Sequence, residues 1–99
     1  MIGIELQDED GKTLESFDDP SAIFALLDSV DADGSACVRF IDAYGDTTFN
    51  RLQIPVLTAE LRSRLLRLRG EAHRRAGALV AFVEQARDRP HVYVKFIGD

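Results

Sequence analysis

The stretch from Thr58 to about Asp88 contains no proline and is built mainly from Leu, Arg, Ala and Glu, a composition that favours helix over any other local structure. Advancing about 100° per residue from Leu61, the positions Leu65, Leu68, Ala72, Ala76, Leu79, Val83 and Ala86 fall within about 80° of one another, so one apolar stripe keeps its phase along the whole stretch. The pattern predicts a single long helix over 58–88. Gly70 and Gly77 each cost it about 1 kcal/mol relative to alanine, and Gly70 is where a bend would fall. A straight helix of that length reaches about 45 Å, more than a small domain with a gyration radius of about 13 Å covers. Leu66, Val80 and Phe82 lie off the stripe. They are expected to need a second surface, supplied by a protein partner or by a second copy pairing through this helix.

Ahead of that stretch, Ile2, Ile4 and Leu6 alternate with Gly3, Glu5 and Gln7, the period of a half-buried strand. Asp10-Gly11 suits a hairpin turn, and Lys12 to Phe17 is expected to return as the second strand. Asp19-Pro20 opens a first helix, with a capping side chain ahead of a proline at the first helical position. Ile23, Leu26, Leu27 and Val30 mark its apolar stripe, and Asp31-Ala-Asp-Gly34 is its expected end. Cys37 to Ile41 reads as a strand that pairs with Thr47 to Phe49 across the turn Asp42–Asp46. Pro55 interrupts pairing and Thr58 is the expected cap of the long helix. Arg89-Pro90 stops that helix, and His91 to Ile97 closes the chain as a strand with Val92, Val94 and Phe96 on one face. The order ββαββαβ implies an α+β domain over 1–99, with a mostly antiparallel sheet of about five strands and two helices on one face, the second of them long.

Ninety-nine residues, 45% hydrophobic and 29% charged, make one ordinary domain with a thin core. One cysteine, Cys37, excludes an intrachain disulfide, and with only two histidines the chain lacks the soft ligands of a structural zinc site. The longest apolar or small-residue run, Ala76 to Val83, falls far short of a membrane span. The first residues lack a secretion signal, which implies a cytoplasmic protein.

The net charge of −5 hides a split: residues 1–50 carry twelve acids against two bases, a net of −10, and residues 51–99 carry ten bases against five acids, a net of +5. Arg62, Arg64, Arg67, Arg69, Arg74 and Arg75 crowd the long helix, as in proteins that bind phosphate backbones. Glu60–Arg64, Arg67–Glu71 and Glu71–Arg75 have ion-pair spacing on one outward face, and Arg62 and Arg69 sit at the stripe's edge within reach of the acidic half. Internal pairing and the acidic total disfavour nucleic acid as the partner.

Catalytic and metal chemistry find little support. Taking Gly34 as position 6 of a calcium loop puts Ser29 at position 1 and Phe40 at position 12, where a glutamate is required. Cys37 sits in the apolar context Ala-Cys-Val-Arg-Phe and reads as a buried thiol, and neither His73 nor His91 has a visible catalytic partner. No glycine-rich phosphate loop or nucleophile elbow appears. The expectation is a chain with no catalytic residue, cofactor or metal.

The stretch Val-Arg-Phe-Ile-Asp-Ala-Tyr-Gly-Asp-Thr-Thr-Phe-Asn-Arg-Leu-Gln-Ile-Pro (38–55), with the closing Val-Tyr-Val-Lys-Phe-Ile-Gly-Asp (92–99), resembles a group of short bacterial single-domain proteins with no assigned activity. The resemblance implies a small bacterial domain and no catalytic residue. The sequence therefore points to a non-enzymatic interaction module, in its sharpest form immunity-like or inhibitor-like toward a basic protein. Asp8, Glu9, Asp10, Asp18 and Asp19 would steer association, and Tyr44, Arg62, Arg69, Leu66, Val80 and Phe82 are the further contact candidates. The alternative is a nucleic-acid or regulatory module using Arg62, Arg67, Arg69, Arg74 and Arg75.

Overall fold

The computed structural model describes residues 2–19, 21–27 and 35–98. Alternating apolar residues form β1 (Gly3–Gln7), and the chain returns through β2 (Thr13–Phe17). Gly11 takes φ +82° in the intervening turn, a conformation that glycine adopts without steric cost. There follow α1 (Ala22–Leu27), a 3₁₀ turn (Val38–Phe40), β3 (Asp46–Phe49), α2 (Ile54–Leu65), α3 (Gly70–Glu84), a second 3₁₀ turn (Gln85–Asp88) and β4 (Tyr93–Ile97). The expected end of the first helix at 31–34 lies outside the described residues.

The sheet is antiparallel, in the order β2-β1-β4-β3. Among the described residues it has four strands rather than five. The last strand enters between β1 and β3, pairing Ile4 with Phe96 and Phe49 with Val94, so β3 does not pair with residues 37–41. Those residues turn instead. The Ser35 Oγ accepts the Arg39 N–H at 3.0 Å, and the Phe40 and Ile41 N–H groups bond back to the carbonyls of Cys37 and Val38. Local acceptors satisfy the backbone, and no strand neighbour is required.

Ile2, Ile4, Leu6, Phe49, Val94 and Phe96 are buried on one face of the sheet, in one cluster with the apolar faces of all three helices. Phe49 and Phe96 meet edge to face, ring centroids 5.8 Å apart, a favourable arrangement for aromatic quadrupoles.

The expected single helix over 58–88 is two helices. Arg69 is extended and Gly70 has φ +60°, so the chain reverses between α2 and α3, which pack on each other. The Arg69 guanidinium donates to the carbonyls of Leu66 (3.0 Å) and Leu68 (2.9 Å), groups that the end of α2 leaves without intrahelical partners. The molecule's longest extent is 36 Å, too short for a straight helix of about 45 Å. Because α3 lies against both α1 and α2, it buries more than one stripe. Val80 is fully buried, and Phe82 packs against Phe17 at 5.3 Å. Their second surface is thus inside the chain, whereas Leu66 remains 71% exposed.

Thr58 does not cap α2. It is buried within the helix and donates to the Pro55 carbonyl at 3.0 Å. The helix opens earlier, through a reciprocal pair. Asn50 Oδ1 accepts the N–H groups of Leu52 and Gln53, while Gln53 Oε1 accepts the Asn50 N–H. This is capping-box geometry in the turn that leads into α2, whose own first turn, from Ile54, tolerates Pro55.

Gly70→Ala discriminates the two helix arrangements by sign. In a continuous helix alanine would stabilise by about 1 kcal/mol. At φ +60° with no neighbour within 4 Å of a new Cβ, only the backbone strain remains, and the variant is expected to lose about 1–2 kcal/mol. A urea midpoint raised by the substitution would contradict the break.

Candidate binding surface

Strand alternation places Glu5, Gln7, Thr48, Tyr93 and Lys95 on the face of the sheet opposite the core, where β1 and β4 residues are half-buried rather than sealed. The register sets Lys95 between Glu5 and Thr48, and Gln7 beside Tyr93. Much of the face is polar and tied together. Glu5 Oε1 accepts from Thr13 Oγ1 (2.7 Å) and from Gln7 Nε2 (2.8 Å). The Thr13 hydroxyl and then the Gln7 amide thus hold the Glu5 carboxyl below its ordinary range. Lys95 Nζ lies 3.4 Å from Asp46 Oδ2.

At the end of this face, Gln7, Asp8, Glu9, Gly11, Thr48 and Tyr93 line an open hollow of about 310 Å³. Asp8 builds the turn beside it: Oδ1 accepts the N–H groups of Asp10 and Lys12, each at 2.9 Å. Glu9 and Asp10 are exposed on that turn, and His91 Nδ1 approaches Glu9 Oε2 at 3.3 Å. Three of the five acids expected to steer association therefore share one end of the open face. Asp18 is exposed elsewhere, beyond the far end of β2. Asp19 is engaged internally: Oδ2 accepts from Arg75 Nε at 2.7 Å and Oδ1 from Ser21 Oγ at 3.1 Å. The Arg75 guanidinium holds its carboxyl below the usual range.

Most of the arginines are engaged within the chain. Arg62 pairs with Glu84 on α3 rather than with the acidic half, and Arg74 pairs with Glu71, which lowers the Glu71 carboxyl. Arg75 crosses to Asp19 instead of pairing with Glu71, and Arg69 caps α2. Arg64, expected on the outward face, is 9% exposed and donates to the Leu26 carbonyl at 3.3 Å. Arg67 is exposed. Its expected partner Glu71 is taken by Arg74 because the helix break removes the i,i+4 relation across residues 66–69.

Glu60, expected to pair with Arg64, performs a different task. Its carboxylate accepts the N–H groups of Ala36 (2.6 Å), Cys37 (3.1 Å) and Val38 (2.9 Å). Burial opposes its charge, but the Val38, Ala36 and Cys37 amides outweigh burial and leave the carboxyl below its ordinary value. Cys37 is buried, and burial, aided by the nearby Glu60 charge, pushes its thiol up, the reverse of what a thiolate nucleophile requires. Tyr44 is 86% exposed at the tip of the 42–45 turn, whose Asp42 Oδ1 accepts the Tyr44 N–H at 2.8 Å.

Among the described residues no three His, Cys, Asp or Glu side chains are placed to hold a metal ion, and no helix is long and apolar enough to cross a membrane. The sequence reading missed Gln7, Thr48 and Tyr93. Their alternation with buried neighbours was visible, but that the described residues leave this face half-buried is a property of the assembled sheet. Comparison with protein-family models, curated proteins and solved structures finds no match to this chain.

Proposed function

We propose that the chain is a non-enzymatic protein-interaction module whose contact surface is the open sheet face with the acidic β1–β2 turn at its end, acting in the manner of an immunity protein or inhibitor toward a basic protein. The observation that carries this reading is the meeting of Asp8 and Glu9 with Gln7, Thr48 and Tyr93 around one hollow on a half-buried face of the sheet, with Asp10 exposed on the adjoining turn. Acidic charge at a rim raises association rates with a basic partner, and an aromatic inside it supplies contact area. The engagement of Arg62, Arg64, Arg69, Arg74 and Arg75 within the chain weighs against the nucleic-acid alternative, since phosphate binding rests on unpaired cations. The burial of Val80 and Phe82 removes most of the case for self-pairing through the helices.

The test is affinity capture from the cells that encode the chain, with and without nuclease, followed by kinetics on the recovered protein. Reversing Glu9 and Asp10 to lysine is expected to slow association about tenfold at low salt and to flatten its salt dependence. These two are chosen because Asp8 builds the turn, Asp18 lies off this surface and Asp19 holds Arg75. Nuclease-sensitive recovery, or a partner whose association is unchanged by the reversal, would overturn the reading.

A further inference from the structure

We infer that the hollow bounded by Gln7, Asp8, Glu9, Gly11, Thr48 and Tyr93 is a receptor for one arginine side chain of the protein partner proposed above, on whose existence this inference rests. Its volume of about 310 Å³ lies at the lower end of the range for ligand pockets, about 300–1,000 Å³, enough for one long side chain. Its chemistry is one-sided. Asp8 and Glu9 bring carboxylates, Gln7 spends its Nε2 on Glu5 and leaves Oε1 to accept, and Thr48 and Tyr93 bring hydroxyls. Acceptors in excess select a ligand made of donors. Tyr93 in the lining favours a flat cation over a compact ammonium, because a guanidinium stacks on an aromatic face while its edge forks onto carboxylate.

Of the chain's own neighbouring basic side chains, His91 approaches Glu9 Oε2 at 3.3 Å from outside the lining, whereas Lys95, on the same face, approaches Asp46 and Arg89 donates to Glu15 at 2.7 Å. None of the three lines the hollow. Gly11, at φ +82° in the wall of the hollow, has no side chain to narrow it.

The test is a ¹⁵N–¹H titration of the full chain with Nα-acetyl-arginine methylamide, against the citrulline analogue, which keeps the shape and lacks the charge. Saturable shifts are expected at the Gly11, Thr48 and Tyr93 amides with the arginine compound only, with a dissociation constant on the order of millimolar for so small a ligand. Glu9→Gln is expected to weaken binding at least about fivefold, and Tyr93→Leu to abolish saturation. Should Tyr93→Leu fail to fold, Glu9→Gln still decides, since Glu9 is exposed. Equal response to citrulline, scattered shifts, or an unweakened Glu9→Gln titration would overturn the site. The two proposals fail separately. A captured partner indifferent to Glu9→Gln, with no arginine response, removes the hollow and leaves the interaction module. A localised arginine response with no protein partner does the reverse.

Discussion

Gly98→Ala is expected to be among the most damaging single-methyl additions in this chain. A Cβ at Gly98 would lie 2.5 Å from the Asp42 carbonyl oxygen, 2.6 Å from the Gly45 nitrogen and 2.7 Å from the Ala43 carbonyl carbon. All three are backbone atoms, so no side chain can swing aside. The close approach is part of the fold: the Gly98 N–H donates to the Gly45 carbonyl at 2.9 Å, clamping the end of β4 to the turn before β3. Moving that turn or losing that clamp is expected to cost about 1–3 kcal/mol. For a domain of this size, that lowers the melting temperature by roughly 4–24 °C. Gly3→Ala is the matched control, since its Cβ would meet only the Ile97 Cβ at 3.8 Å, an ordinary contact. A Gly98→Ala protein as stable as wild type in urea would show that the turn does not sit against the strand end.

Glu60→Ala is expected to lose about 2–3 kcal/mol, because it leaves the N–H groups of Ala36, Cys37 and Val38 without their charged acceptor. Glu60→Gln keeps one carbonyl oxygen and is expected to lose about half as much. The pH dependence has a definite sign. The folded carboxyl titrates below its ordinary value of 4.5, so between the two values the unfolded chain binds more protons. Glu60's contribution is therefore complete above about pH 4.5 and is lost as pH falls through the folded value. Glu5, Asp19 and Glu71 are shifted in the same direction, so the quantity to measure is the stability difference between wild type and Glu60→Gln from pH 7 to 3. A difference that narrows toward acid identifies Glu60 as the latch. A difference constant across that range would show that its charge does not hold the 36–38 turn.

The elements legible in the sequence are those fixed by neighbours. The period-2 alternation of Ile2, Ile4 and Leu6, and of Val92, Val94 and Phe96, gave two strands and the face each buries. Asp10-Gly11 marked the hairpin, and the stripe of Ala76, Leu79 and Val83 marked the buried side of α3, continued by Ala86 in the 3₁₀ turn that follows. Asn50 and Gln53 were equally local, a capping box three residues apart that the reading passed over in favour of Thr58.

The errors fall where a distant group decides. Residues 37–41 have a strand's composition, yet Glu60, more than twenty residues away, binds the amides at the start of that segment and turns it. The 58–88 pattern kept helical phase through the break because α2 and α3 pack into the same core, so each shows the same periodicity. Periodicity records which side of a segment is buried, and it is blind to a reversal that preserves burial.

The same division holds for the candidate surface. Amino-acid order alone determined an acidic turn at residues 8–10, an α+β composition and strands with one apolar face, because these follow from side-chain chemistry and from spacings of two to four residues. Only the tertiary structure decided that β4 enters between β1 and β3, that most of the arginines pair or bury within the chain, and that Tyr93 and Thr48 come to lie beside Asp8 and Glu9. Strand pairing and ion pairing across fifty or more positions depend on which closures the whole core permits, and no local pattern encodes that choice.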